Sequence, residues 1–216
     1  MRQLSWIYNY FIEKNPANRY VIIDHDSLLS EEYLKCLVDD GGIFLGLPIV
    51  KIKGVPRYPS VKDQFSIGPY SKGNKVRSLG SGLLISQKAI DAVKSSYGDV
   101  FDENYALYGI DTSFLQRVQE VALGDELQCI PYIEHSLSDF EEEKKEVKKF
   151  RKIERSYAFG LHLRYYPTKK RVRKLIKQIF KSILGKNKIL IREVVKAFIQ
   201  GRHERCKQAR LHTMIK

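Results

Sequence analysis

The stretch Tyr20-Val21-Ile22-Ile23-Asp24-His25-Asp26-Ser27 decides the fold. Its first four residues are apolar or aromatic, rich in β-branching and without polar alternation, the composition of a strand buried inside a parallel sheet. The run stops abruptly at two carboxylates one residue apart. Open α/β sheets take their ligands at the C-terminal ends of strands, so Asp24 and Asp26 are placed where a site is expected. Two carboxylates at this spacing can hold a hard divalent cation and a ligand hydroxyl together. The plainer alternative is that Asp26 or Ser27 caps the following turn.

On the N-terminal side, Leu4, Ile7, Tyr8, Phe11 and Ile12 recur at helical spacing until Asn15-Pro16-Ala17-Asn18 stops them. On the C-terminal side, Ser30 is an N-cap with Glu31 and Glu32 in the first turn, and the helix over Tyr33 to Asp39 runs out at Gly41-Gly42. Two β-rich pieces follow, Ile43 to Leu47 and Ile49 to Ile52. From Gly54 to Gly80 the text is loop-like, with Pro56, Pro59, Pro69 and four glycines. Ser81 to Ser86 reads as another buried strand, with Ser86 capping a helix over Lys88 to Val93. A helix from Asp111 to about Val121 and a last strand, Leu127 to Ile130, complete an alternation that indicates an α/β layer architecture.

Charge divides the chain. Residues 1–143 hold 14 Lys and Arg against 21 Asp and Glu, whereas residues 144–216 hold 24 against 4. The net charge of +13 is therefore a property of the tail, and a pI of 9.5 does not make the whole protein a nucleic-acid binder. Cys36, Cys129 and Cys206 are far apart and form no CxxC or Cys/His ladder, which predicts free thiols. No stretch is long and apolar enough to cross a bilayer, and Met1-Arg2-Gln3-Leu4 opens no signal peptide; the expectation is a cytoplasmic protein, soluble or peripheral on the inner face of the membrane.

Two further residues can carry chemistry. Asp111, in Tyr108-Gly109-Ile110-Asp111, stands at the N-terminal end of a helix whose dipole favours the ionised carboxylate that a general base requires. Aspartate is also among the best N-caps, and the sequence leaves both readings open. His135, in Glu134-His135-Ser136, is poorly placed as a core residue; it is a surface histidine or a metal ligand.

Val21 to Ser27, Ser81 to Ser86, Phe101-Asp102-Glu103 leading to Tyr108-Gly109-Ile110-Asp111-Thr112-Ser113-Phe114 and Arg117, and finally Glu134-His135, resemble in order and spacing the signposts of family 2 glycosyltransferases. The chain is similar in particular to the rhamnosyltransferase-like branch of bacterial surface-polysaccharide and lipopolysaccharide synthesis, over about residues 5–140. The resemblance implies a partial GT-A, Rossmann-like mixed sheet with flanking helices over residues 1–140, followed by a basic α-helical tail over 141–216. It implies that Asp24 and Asp26 bind the nucleotide sugar, that Asp26 and His135 hold the divalent metal, Mn2+ or Mg2+, and that Asp111 is the catalytic base of an inverting transfer to a glycan or lipid-linked acceptor. Family members usually carry further βαβ units before the DxD strand. Residue 24 comes too early for them, so the resemblance also implies a truncated frame or a partner chain that supplies that half. A truncated, inactive remnant or non-catalytic subunit acting as a membrane-surface partner is the second expectation. Many members pair two acids before the base helix; here Ile110 stands beside Asp111.

In the tail, Val172, Leu175, Ile176, Ile179, Phe180, Ile183 and Leu184 form a narrow apolar stripe on a cylinder covered by Lys and Arg. Ile189, Leu190, Ile191, Val194, Val195, Phe198 and Ile199 repeat the idea. Residues 169–216 are thereby expected to meet an anionic membrane surface, the alternative being that the stripes pack internally. With no recognised module and no clear aromatic platform, nucleic acid is not an expected partner.

Overall fold

A computed structural model describes residues 3–39, 42–60, 65–70, 75–122, 126–136, 144–183 and 189–206. Among these residues the protein is mixed α/β, with seven helices and a mixed sheet of seven strands. The elements are α1 (Leu4–Lys14), β1 (Arg19–Ile22), β2 (Ser27–Leu29), α2 (Glu31–Val38), β3 (Leu45–Ile52), β4 (Val55–Tyr58), β5 (Gly68–Pro69) and β6 (Leu83–Ser86), then α3 (Gln87–Tyr97), α4 (Ile110–Val121), β7 (Leu127–His135), α5 (Lys145–Tyr165), α6 (Lys169–Ile183) and α7 (Ile191–Gln200). They fall into two compact units, one of residues 11–100 and 114–141, the other of residues 1–10, 101–113 and 142–216. The basic segment shares its unit with residues 1–10 and 101–113.

The first unit contains the sheet, in the order β1-β6-β3-β7-β2, with β4 added to β3 and β5 to β7. Only the β3–β7 pair is parallel. The strand that opened the sequence reading differs from its expectation: β1 pairs antiparallel with β6 alone among the described residues, and only Tyr20 in it is buried. An apolar run that short satisfies an edge as well as a centre, because periodicity does not distinguish the two. Tyr33, Val50, Leu84, Ile130 and Ile133 form a buried cluster, and the Tyr33 hydroxyl donates to the Gly82 carbonyl at 2.9 Å.

Two prolines lie inside strands. Pro48 was expected to separate two β pieces and Pro131 to end the last strand, yet β3 and β7 run through both. Their register passes from Pro48↔Ile130 to Val50↔Ile133, so one residue of β3 faces two of β7. This bulge accommodates the missing N–H groups. The expected loop from Gly54 also contains β4, which pairs back on β3 across a turn at Lys53-Gly54, and β5. The caps follow expectation: the Ser30 hydroxyl accepts from the Tyr33 amide at 3.1 Å and that of Ser86 from the Ala89 amide at 3.2 Å.

In the second unit, α5 is buried from Ser156 to Leu163 and packs against α7. Gly160 permits the approach, since a Cβ there would lie 2.8 Å from the Cβ of Ala197. Phe159, Leu163, Ile189 and Val194 form the core, joined by Leu175 of α6. The loop before α4 is bound to these helices: Tyr166 donates to Asp102 at 3.1 Å, and Tyr105 shares a 2.6 Å hydrogen bond with His162 Nδ1. Burial, with smaller contributions from Arg171 and Lys174, lowers the pKa of His162 to about 3, so it is neutral at ordinary pH.

Gly82 tests the sheet. Its φ is +77°, and an added Cβ would lie 2.7 Å from Pro48 Cγ and 2.8 Å from Ile133 Cδ1. Gly82→Ala therefore combines left-handed strain with overpacking and should lower unfolding stability by about 2–4 kcal/mol in urea titrations. A variant with wild-type stability would contradict this packing.

Candidate metal centre

The centre forms where β2 runs beside the end of β7. Antiparallel pairing sets Ser27 opposite His135, and a turn closed by the Ser27 amide on the Asp24 carbonyl at 3.1 Å brings both aspartates to the same place. Asp24, Asp26 and His135 each offer a ligand atom within 4.8 Å of the others. His135 is the inner member, its side chain 6 % exposed, against 25 % for Asp26 and 48 % for Asp24. The expectation that His135 is poorly placed as a core residue is corrected: β7 continues through Pro131 and carries the ring into a buried position.

The two aspartates approach opposite nitrogens of the ring. Asp26 Oδ1 lies 3.3 Å from Nδ1, and Asp24 Oδ2 lies 3.9 Å from Nε2. Ser27 Oγ shares the Nδ1 side with Asp26, so Nε2 is the nitrogen turned toward Asp24. A ligating histidine commonly has one nitrogen oriented by a hydrogen-bond partner, here Ser27 Oγ, and the other left to bind. Ligand atoms that share a cation at about 2.1 Å each stand roughly 3–4 Å apart, a spacing that the Asp24–Nε2 distance satisfies.

Three serines, Ser27, Ser81 and Ser136, hold these groups. Ser27 Oγ is 2.9 Å from His135 Nδ1 and 2.7 Å from Ser81 Oγ, and the fully buried Ser81 accepts from the Asp24 amide at 3.0 Å. Ser136 donates its hydroxyl to Asp26 Oδ2 at 3.2 Å and its amide to the Asp26 carbonyl at 3.3 Å. Their only sequence signals were adjacency to Asp26 and His135 and a Ser-Gly pair at the mouth of β6. Burial raises the Asp24 carboxyl above its ordinary value; His135 opposes the shift, Asp26 reinforces it and His25 opposes it.

Asp111 is not part of this group and belongs to the other unit. It lies within the first turn of α4 rather than at the cap position, where its Oδ1 accepts from the Thr112 amide at 2.8 Å. Asp111 thus stands in the first turn of α4 with its carboxylate engaged by a first-turn amide.

No family model matches the sequence, and no curated protein matches it. The chemistry of the donor set therefore carries the functional reading.

A raised native pKa means that the folded protein holds the Asp24 proton more tightly than the unfolded chain does. Its stabilising effect is present below the ordinary carboxylate value of 3.8 and is lost as pH rises through the native value, leaving a net cost at neutral pH. Metal-free Asp24→Asn should melt higher than wild type at pH 7, with the difference shrinking as pH falls toward 4. A variant that melts lower at pH 7 would overturn this assignment.

Proposed function

We propose that the chain is a glycosyltransferase domain that uses a nucleotide-sugar donor and a divalent cation held by Asp24, Asp26 and His135. The observation that carries this reading is the convergence of the two carboxylates and one oriented imidazole at the edge of a mixed sheet. Oxygen donors suit Mg2+ and Mn2+, and the nitrogen favours Mn2+ of the two. When bound, the cation would neutralise negative charge on the leaving diphosphate.

The chain's own residues supply the remainder. Ser27 and Ser81 fix the His135 ring and the Asp24 backbone, so the ligand set is organised before anything binds. Asp111 is the proposed base: held in the first turn of α4, its carboxylate would accept the acceptor hydroxyl's proton as that oxygen attacks the anomeric carbon. Transfer with inversion, to a glycan or lipid-linked acceptor of surface polysaccharide, belongs to the same proposal.

Calorimetry with MnCl2, alone and with UDP, GDP or dTDP, separates the parts. Wild type should bind Mn2+ and bind one nucleotide more tightly in its presence. Asp26→Ala and His135→Ala should each weaken Mn2+ by about tenfold or more. Asp111→Asn should keep Mn2+ affinity while turnover of the donor falls by about 10²- to 10⁴-fold. Mn2+ binding that is absent from the wild type, or unchanged in Asp26→Ala, would sink the reading.

A further inference from the structure

We propose that α6 docks on an anionic lipid bilayer, lying in the plane of the headgroups; this stands independently of the metal centre. A helix turns by about 100° per residue, and on that wheel α6 separates into three arcs. The first holds Leu175, packed against the core of Phe159, Leu163, Ile189 and Val194, together with the buried Gln178. The second, about 100° wide, holds Val172, Ile176, Ile179 and Phe180, which are exposed by 46 %, 49 %, 41 % and 65 %, with the exposed Lys169 of the first turn among them. The third holds Lys170, Arg173 and Lys177, all exposed.

Internal packing of α6 therefore takes Leu175 from the apolar stripe and leaves the exposed arc on a different side. The exposed apolar arc borders directly on the basic one, as in helices that immerse one face at a membrane interface while lysines reach for phosphate. The occupant follows from charge. Helix α6 carries seven Lys and Arg and no Asp or Glu, so a second copy of the same face would be repelled. A nucleic acid would satisfy the lysines and leave the apolar arc in water. An anionic bilayer accommodates both. Among the described residues no helix is long and apolar enough to cross a membrane, so the contact is one of lying on the surface.

Deleting the tail would be a poor test, because Ile189 and Val194 belong to the core. Surface substitutions in the full chain avoid this. Ile176→Glu/Phe180→Glu removes the apolar contact, and Lys170→Gln/Arg173→Gln/Lys177→Gln removes the charge. Flotation with phosphatidylglycerol-containing vesicles should recover the wild type about tenfold better than flotation with phosphatidylcholine alone, less so in high salt. Each variant should retain the wild-type circular dichroism and melt, yet lose binding to the anionic vesicles by about tenfold or more. The proposal is overturned if folded Ile176→Glu/Phe180→Glu floats like wild type, if neutral vesicles bind equally well, or if that variant instead dissolves a dimer. Tight nucleic-acid binding indifferent to that variant, without vesicle binding, would overturn it too.

Discussion

The pairing of β2 with β7 is the constraint on which the candidate centre depends. It joins residues 108 positions apart, Ser27 and His135, and a slip of one residue would turn the imidazole to the opposite face of the sheet. Several contacts hold the register. Ser30 caps α2 and also donates to the Tyr132 carbonyl at 2.7 Å, while Ser136 ties back to Asp26. The bulge at Pro131 sets the phase of β7, so that His135 arrives buried and beside the carboxylates. Ser81, clamped between Ser27 and the Asp24 amide, connects this pair to the mouth of β6.

Local chemistry made part of this legible in the sequence. The caps at Ser30 and Ser86 could be read because a hydroxyl three residues before a free amide is a short-range feature. Asp24 and Asp26 stood out through an abrupt change from apolar to acidic. The sheet order was not legible: β1 is an edge strand paired antiparallel, and nothing in Tyr20 to Ile23 distinguishes that from a parallel centre. Pro48 and Pro131 looked like strand breaks because a proline lacks its donor; that both fall at one bulge is visible only when β3 and β7 lie side by side. Ser27 and Ser81 act across 54 positions, beyond any local signal.

The basic helices have more than one use. Buried groups of α5 and its C-cap hold the loop that leads to α4: Tyr166 on Asp102, and a neutral His162 on Tyr105. The amide of His203 donates to the Asn104 carbonyl at 2.9 Å and fastens the same loop from the C-terminal side. Asp111 thus belongs to a unit whose framework is the region read from sequence as a tail. Among the described residues, the exposed lysines and arginines of α6 border an exposed apolar arc that, in the proposal above, gives them a membrane to meet.

In the function proposed above, the Asp24, Asp26 and His135 side chains together hold a divalent cation. Pulsed electron paramagnetic resonance of the Mn2+-loaded full chain addresses it directly, because a bound imidazole nitrogen modulates the manganese echo. Nitrogen modulation is expected in the wild type, lost in His135→Gln and kept in Asp111→Asn. An echo without nitrogen modulation, or one unchanged by His135→Gln, would contradict it.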